Sequence, residues 1–365
     1  MTSPRPDSLY VHIPFCRRIC PYCDFPKVLY RPEWSRSYLD ALEKELVTRA
    51  CGLFSTLYVG GGTPSCLSEE ELKRLLSMLS PHLKPGGEFS IEANPDSLTA
   101  EKAKLLSLYG VSRVSLGAQS STPKSLKTLG RSHDFEAVRK AVEYLLAAGI
   151  RNINVDWMYG FEGQSEEDVQ ADIEAFLSLP VTHFSCYSLI LEPGTMFAVN
   201  GKKPLEDDAQ QHYFELIRDA LEQKGFARYE ISNFALPGYE CAHNKTYWKD
   251  LPYVGIGLGA AGYIGHTRYK NSRNLSAYLA GNYEGEREEL TLESELEDFF
   301  LTNLRLVEGF SLDAFKQRFG FSLESRYGEQ VHKLQERGLI DMDEKTFKAT
   351  PRGLDLLDLI LLELF

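Results

Sequence analysis

Three cysteines stand close together near the start of the chain. Cys16, Cys20 and Cys23 fall in a CxxxCxxC spacing within LYVHIPFCRRICPYCDFPK, residues 9–27. Cysteine thiolates are the usual ligands of a [4Fe–4S] cluster. Three of them in one loop can hold three irons and leave the fourth open to a small molecule. Zinc is the competing metal, and it prefers closure by four N or S ligands. His12, in the apolar run that leads into the loop, is then the available fourth. The other cysteines, Cys51, Cys66, Cys186 and Cys241, are scattered. They form no disulfide framework, they suit a reducing cytoplasm, and they read as small buried hydrophobes.

The elements that must position this loop alternate. Strand-like runs at 8–15, 55–59, 88–92, 113–116, 152–158 and 183–189 are separated by helical patterns at 35–49, 68–79, 99–109, 134–148, 165–179 and 207–224. Ser68 with Glu71 three residues on is a capping box ahead of Leu72, Leu75, Leu76 and Leu79. Several helices stop at glycine, as at Gly110, Gly149 and Gly225. Repeated strand–helix units predict a parallel sheet with helices outside. Six of them predict an α/β fold, a partial (β/α)6 barrel. Barrel chemistry gathers at the C-terminal ends of the strands. There the sequence places GGGTPS (60–65), EANPD (92–96), GAQS (117–120), Asp156 with Tyr159-Gly160, and EPGT (192–195). All lie at the same barrel end as the cysteines.

CxxxCxxC after YVHIPFC resembles the radical S-adenosylmethionine (SAM) superfamily, in the wording of its oxygen-independent coproporphyrinogen dehydrogenase branch. The resemblance implies that SAM chelates the open iron through its amino and carboxylate groups. One electron from the cluster then cleaves it to a 5′-deoxyadenosyl radical. It also implies a partial barrel, and it gives roles to residues. GGGTP resembles the element that receives the amino group of SAM, here Gly61, Gly62 and Thr63. Tyr10, Glu92, Gln119, Arg131 and Asp156 match SAM-contacting positions through YxHIPFC, IEANPD, SLGAQS, LGRxH and NVDxxYG. Glu92 and Asp156 suit ribose hydroxyls as acceptor-only carboxylates, and Arg131 can fork onto a carboxylate. Phe15 and Tyr22 read as cover that keeps water and oxygen from the cluster.

Beyond residue 225 aromatics and glycines crowd together. CAHNKTYW (241–248) puts His243 and Asn244 beside Tyr247 and Trp248. That grouping is either a haem ligand between aromatic faces or a satisfied polar loop residue. YVGIGLGAAGYIG (253–265) lacks the spacing of a dinucleotide fingerprint and reads as backbone packed closely against the barrel. HNxxYW followed by YxGxGxGA resembles the HemW-type haem chaperones, a sister group of the dehydrogenases. The resemblance implies haem as a further cofactor, with His243, Asn244, Tyr247 and Trp248 as its candidate contacts, and a haem acceptor protein as partner. The dehydrogenases usually carry a further cysteine two residues after the third, where this chain has Phe25, and a long N-terminal extension before the motif. Oxygen-independent coproporphyrinogen III dehydrogenase is therefore the second expectation.

The organisation expected is a barrel over 1–225, an aromatic and glycine-rich extension over 226–285, and a winged-helix-like domain over 286–365. The last holds 10 Lys and Arg against 18 Asp and Glu, which points to protein docking or a structural role rather than DNA. Its apolar tail, LLDLILLELF, is expected to bury against the domain core. The net charge of −12 over 365 residues disfavours non-specific binding to nucleic acid or anionic membrane. No signal peptide and no run of about 20 apolar residues is visible, so a cytoplasmic protein with no integral membrane span is expected. If the three clustered cysteines carry the metal, replacing Cys16, Cys20 and Cys23 together by alanine abolishes the visible absorbance of anaerobically reconstituted protein. Replacing Cys51 or Cys66 leaves it intact, and a full cluster in the triple variant would overturn the ligand assignment.

Overall fold

The computed structural model describes residues 5–365. Strand β1 (Ser8–Ile13) runs into a short parallel pair, β2 (Phe15–Cys16) and β3 (Val28–Leu29), which brackets the cysteine loop. Then follow β4 (Phe54–Gly61), β5 (Leu83–Ala93), β6 (Arg113–Gln119), β7 (Asn152–Tyr159) and β8 (His183–Ser188), with helices between them. After β8 come β9 (Ala227–Arg228), β10 (Asn233–Ala235) and β11 (Val254–Ile256). The main sheet has the order β11-β1-β4-β5-β6-β7-β8-β10-β9. It is parallel from β11 to β8, and β10 and β9 close that edge antiparallel.

The six expected strands are all present. The three added strands come from the aromatic and glycine-rich stretch, so part of what reads as an extension is barrel wall. Each is only two or three residues long, too short for a period-2 signal in the sequence.

Buried parallel strands usually read as continuous apolar runs. These alternate. Leu9, Val11 and Ile13, Leu57 and Val59, Phe89 and Ile91, Val114 and Leu116, Ile153, Val155 and Trp157 belong to one core shared with the helices. Between them Ser8, Thr56, Ser90, Ser115 and Asn154 are buried polar residues of the opposite face. The barrel is therefore apolar outward, under its helices, and polar inward. The helices are well started: Ser68 with Glu71 and Ser165 with Asp168 form complete capping boxes, and Thr99 and Asp134 cap two more.

The C-terminal region has its own core around Phe299, Phe300, Phe310, Phe315, Val331 and Ile360. The expected wing is present as Ile340–Met342 paired with Thr346–Ala349, and Phe310–Ser311 joins its free side. The helix that precedes the wing, Leu323–Glu336, is capped by Ser322. The tail departs from expectation: Leu357, Ile360 and Leu364 are buried, whereas Leu359, Leu362 and Phe365 are exposed. A helix with apolar residues on every side cannot bury both faces against one core. Cys51 departs too, being exposed, whereas Cys66, Cys186 and Cys241 are buried. Among the described residues no helix is long and apolar enough to cross a membrane.

One buried carboxylate ties the late strands to the first helix, Pro32–Arg49. Glu45 accepts hydrogen bonds from Tyr278 Oη at 2.6 Å, Asn271 Nδ2 at 2.7 Å and the Gly257 backbone N–H at 2.9 Å. Burial raises its carboxyl, and these three donors pull it back. Alanine at this position strands all three. Glu45→Ala is expected to lower the unfolding free energy by about 3 kcal/mol, measured as a shift of the denaturant midpoint at unchanged slope. Val47→Ala on the exposed side of the same helix stays within about 0.5 kcal/mol.

Candidate functional site

The cysteine loop hangs from a strand end. The β2–β3 pair is fixed by Val28 N–H to Pro14 C=O at 2.8 Å and Tyr30 N–H to Cys16 C=O at 2.9 Å. Cys16 is thereby buried at the barrel rim, and Cys20 and Cys23 lie in a half-exposed turn closed by Cys23 N–H to Cys20 C=O at 3.3 Å. The Lys27 ammonium caps the Cys23 carbonyl. All seven cysteines are free thiols. Burial raises Cys16 to about 11 and raises Cys23 as well, so a metal must displace a proton to bind them. Among the described residues no three Cys, His, Asp or Glu side chains are already closed to metal-ligand spacing. The donor set nevertheless fits an iron–sulfur group: three thiols on one loop, with side-chain donors beside two of them. Thr63 Oγ1 stands 3.6 Å from Cys16 Sγ, and Arg131 Nη1 stands 3.4 Å from Cys20 Sγ. His12 does not complete a zinc site. Its Nδ1 meets Tyr10 Oη at 3.0 Å and its Nε2 meets the Pro26 carbonyl at 2.8 Å.

Next to the loop the inner faces of the strands converge. Glu92 Oε1 accepts from Tyr58 Oη at 2.9 Å, and its Oε2 accepts the Gly61 N–H at 3.0 Å. Gly61 adopts a φ of +112°, and a Cβ there would run into the His12 ring. Asp156 accepts from Ser115 Oγ at 3.1 Å and Asn154 Nδ2 at 2.7 Å. Burial, and then the Asp156 charge, push Glu92 up to about 7. A cationic ligand between the two would favour the ionised form. Gln119 ends β6 with a φ of +69°, a conformation a non-glycine residue holds only when its surroundings impose it. Here Asp172 does so, taking the Ser120 and Ser121 hydroxyls and the Ser121 N–H just beyond. Tyr10, Gly61, Gly62, Thr63, Glu92, Gln119, Arg131 and Asp156 thus all lie on the inner strand faces or the loops at the cysteine end.

The HNxxYW segment lies elsewhere. It forms the helix Ala242–Trp248, whose Cys241, Ala242 and His243 face Glu88 at the start of β5. His243 is fully buried. Its Nδ1 meets Thr56 Oγ1 at 2.7 Å, its Nε2 meets Tyr247 Oη at 2.7 Å, and its ring stacks on Tyr58. Neither ring nitrogen is open to a haem iron in this arrangement. The helix plugs the barrel floor, and its histidine satisfies the polar inner face.

Comparison with known proteins follows the same lines. A family model for the radical SAM superfamily matches residues 10–176, and one for the HemN C-terminal domain matches residues 290–356. Relatives named heme chaperone HemW are 39% identical in Lactococcus lactis, over 96% of this chain and 95% of theirs, and 38% identical in Bacillus subtilis, over 95% and 96%. The chain belongs to the HemW family. Among solved structures, the coproporphyrinogen III oxidase HemN of Escherichia coli, described as a radical SAM enzyme, superposes with a TM-score of 0.86 at 25% identity, over 99% of this chain and 90% of that one. The fold is a partial radical SAM barrel followed by a winged-helix-like C-terminal domain.

Tyr58 escaped the sequence reading: it shares the inner face of β4 with Thr56, and that spacing of two toward the C-terminal strand end was the available signal. The buried histidines also have a thermodynamic consequence in this HemW-family chain. Burial holds His12 and His133 down at about 4 and His243, which Arg113 also faces, at about 3. Between about 6.5 and those values the unfolded chain binds protons that the folded chain refuses, so stability is lost as pH falls through that window. Each group contributes up to about 1.4 kcal/mol per pH unit. In urea unfolding of metal-free protein at pH 7, 6 and 5, His243→Gln is expected to flatten the fall in stability. An undiminished slope would mean that His243 is not a neutral buried imidazole.

Proposed function

We propose that this protein is a haem chaperone built on a radical SAM scaffold. The observation that carries the reading is likeness over nearly the whole chain to relatives named heme chaperone HemW. Cys16, Cys20 and Cys23 would hold a [4Fe–4S] cluster, which supplies one-electron chemistry when bound. Gly61, Gly62 and Thr63 offer backbone and hydroxyl groups to the amino end of SAM. Arg131 offers a fork to its carboxylate, and Glu92 and Asp156 have lone pairs to spare for ribose hydroxyls. Tyr10 and Gln119 line the same end.

Haem has to find an apolar face and a cation for its propionates. The cysteine loop exposes Ile19 and Phe25, and the segment after β8 exposes Ile190, Met196 and Val199. Phe197 N–H to the Pro21 carbonyl at 2.9 Å joins the two segments. Ile19, Phe25, Lys27 and Arg273 line one cleft between them. This collar supports haem at the barrel mouth rather than at His243. Haem would pass from there to an acceptor protein.

The second reading is oxygen-independent coproporphyrinogen oxidation, favoured by the superposition on HemN. Phe25, at the position where the sequence resemblance places a further cysteine, supports the chaperone instead. Anaerobic titration separates the readings. The protein is expected to take up about one haem per chain without decarboxylating coproporphyrinogen. Combining Phe25→Asp with Met196→Asp should weaken haem at least tenfold at unchanged cluster absorbance, whereas His243→Ala keeps the Soret band. Loss of the band in His243→Ala alone returns haem to the HNxxYW segment. Turnover of coproporphyrinogen at a catalytic rate replaces the chaperone reading.

A further inference from the structure

We infer that Asn94 is a positioning residue that orients the hydrogen-bond donors of two cluster cysteines at once. Its side-chain amide lies between Thr63 and Arg131. Asn94 Oδ1 accepts from Arg131 Nη2 at 2.8 Å, and Asn94 Nδ2 donates to Thr63 Oγ1 at 3.2 Å. Only this orientation of the amide works, because a guanidinium has donors and no acceptor. The consequence reaches the sulfurs. Thr63 Oγ1 accepts the Asn94 Nδ2–H, which leaves its own O–H to donate toward Cys16 Sγ 3.6 Å away. Arg131, held by Asn94 and by the Gly117 carbonyl, presents Nη1 to Cys20 Sγ at 3.4 Å.

A second observation supports the arrangement independently. A Cβ on Gly117 would stand 2.8 Å from Asn94 Oδ1 and 3.1 Å from Arg131 Nη2. The amide and guanidinium meet over Gly117 because it has no side chain. The backbone of Asn94 is tied down separately. Its N–H donates to Ser65 Oγ at 3.0 Å, and its carbonyl takes the Ser97 and Leu98 N–H groups at 3.1 Å. The amide can thus be removed with the turn left standing. Hydrogen bonds to the sulfurs are one of the levers on cluster potential. Donors stabilise the more negative, reduced form, so losing them moves the potential down.

The inference about potential rests on the cluster reading, and the test has an arm that does not. In metal-free protein Asn94→Ala releases Arg131 and Thr63. Alkylation of Cys20, followed by peptide mass spectrometry, is expected to quicken several-fold, with Cys23 unchanged and exposed Cys51 as the internal reference. In reconstituted protein the same variant should show a more negative cluster midpoint and faster loss of iron to a chelator. Asn94→Asp keeps the acceptor for Arg131 but turns the Thr63 arm into an acceptor. It should therefore leave Cys20 alkylation at the parent rate and still lower the potential. Gly117→Ala should reproduce the alanine variant at Cys20 without touching Asn94. An unchanged Cys20 rate in both Asn94→Ala and Gly117→Ala overturns the bridge, whether or not a cluster forms. A quickened Cys20 rate at an unchanged midpoint overturns its effect on the cluster. Failure of the parent protein to assemble any cluster overturns the cluster reading and leaves the alkylation result to decide the bridge.

Discussion

A parallel sheet that turns its polar side inward must satisfy every polar group that it encloses. An unpaired buried donor or acceptor costs about 1–3 kcal/mol, which is large against a net stability of about 5–15 kcal/mol. This chain meets most of the demand in layers, leaving Arg113 Nε and Glu230 Oε2 among the few buried side-chain atoms of the described residues without a partner. At the floor, Ser8 meets Thr246 at 2.9 Å, Thr56 meets His243, and His183 spans Asn154 at 2.6 Å and Tyr229 at 2.9 Å. Higher up, Tyr58 and the Gly61 N–H serve Glu92, and Ser115 and Asn154 serve Asp156. The floor is closed by a helix that carries its own complementary side chains. The cysteine end is left to groups with spare lone pairs and donors. The groups left free for a ligand are found there because the floor is already consumed by structure.

The same constraint explains how the loop from Cys16 to Cys23, eight residues with both ends counted, can be held without a core of its own. A loop cannot bury its backbone groups unless each finds a partner. Here the short β2–β3 pair takes the two ends, the Cys23 carbonyl takes Lys27, and Asp24 C=O takes Arg273 at 3.1 Å. Arg273 closely follows the strand Thr267–Asn271, so the part of the chain beyond β11 also fastens the cysteine loop. The loop is anchored from both sides of β1, by β4 through Thr63 and by the late strands through Arg273.

How much of this was legible depended on whether a signal was local. Ser68 with Glu71 and the alternation of the first six strands are local, and the architecture agrees with both readings; CxxxCxxC is local as well, and its three cysteines fall on one loop. HNxxYW is local as a string but not as an environment. Nothing within 241–248 tells that Thr56, 187 residues away in sequence, takes the imidazole Nδ1. The glycine-rich run was read as close backbone packing, and Gly255 and Gly257 do lie against Ala261 and His12. Its contribution of a strand beside β1 depends on long-range pairing that three residues cannot announce. The tail was misjudged for the opposite reason. Its apolar residues are plain in the sequence, but how many faces the neighbouring core can accept is set by that core.

The C-terminal region is fastened to the barrel by charged contacts. Arg228 reaches Asp355 at 3.1 Å while its guanidinium lies over Phe214, and Arg318 reaches Asp250 at 2.6 Å while lying over Phe299 and Phe319. Asp250 holds a φ of +49°, and burial pushes its carboxyl up to about 6 against the opposing pull of Arg318. An arginine stacked on aromatics and paired in this way loses little further entropy when it binds. These two arginine clamps act together with a shared β-bridge, Glu230 with Leu306, the Lys249–Glu308 and Arg268–Asp298 ion pairs, and Arg305 over the Trp248 ring.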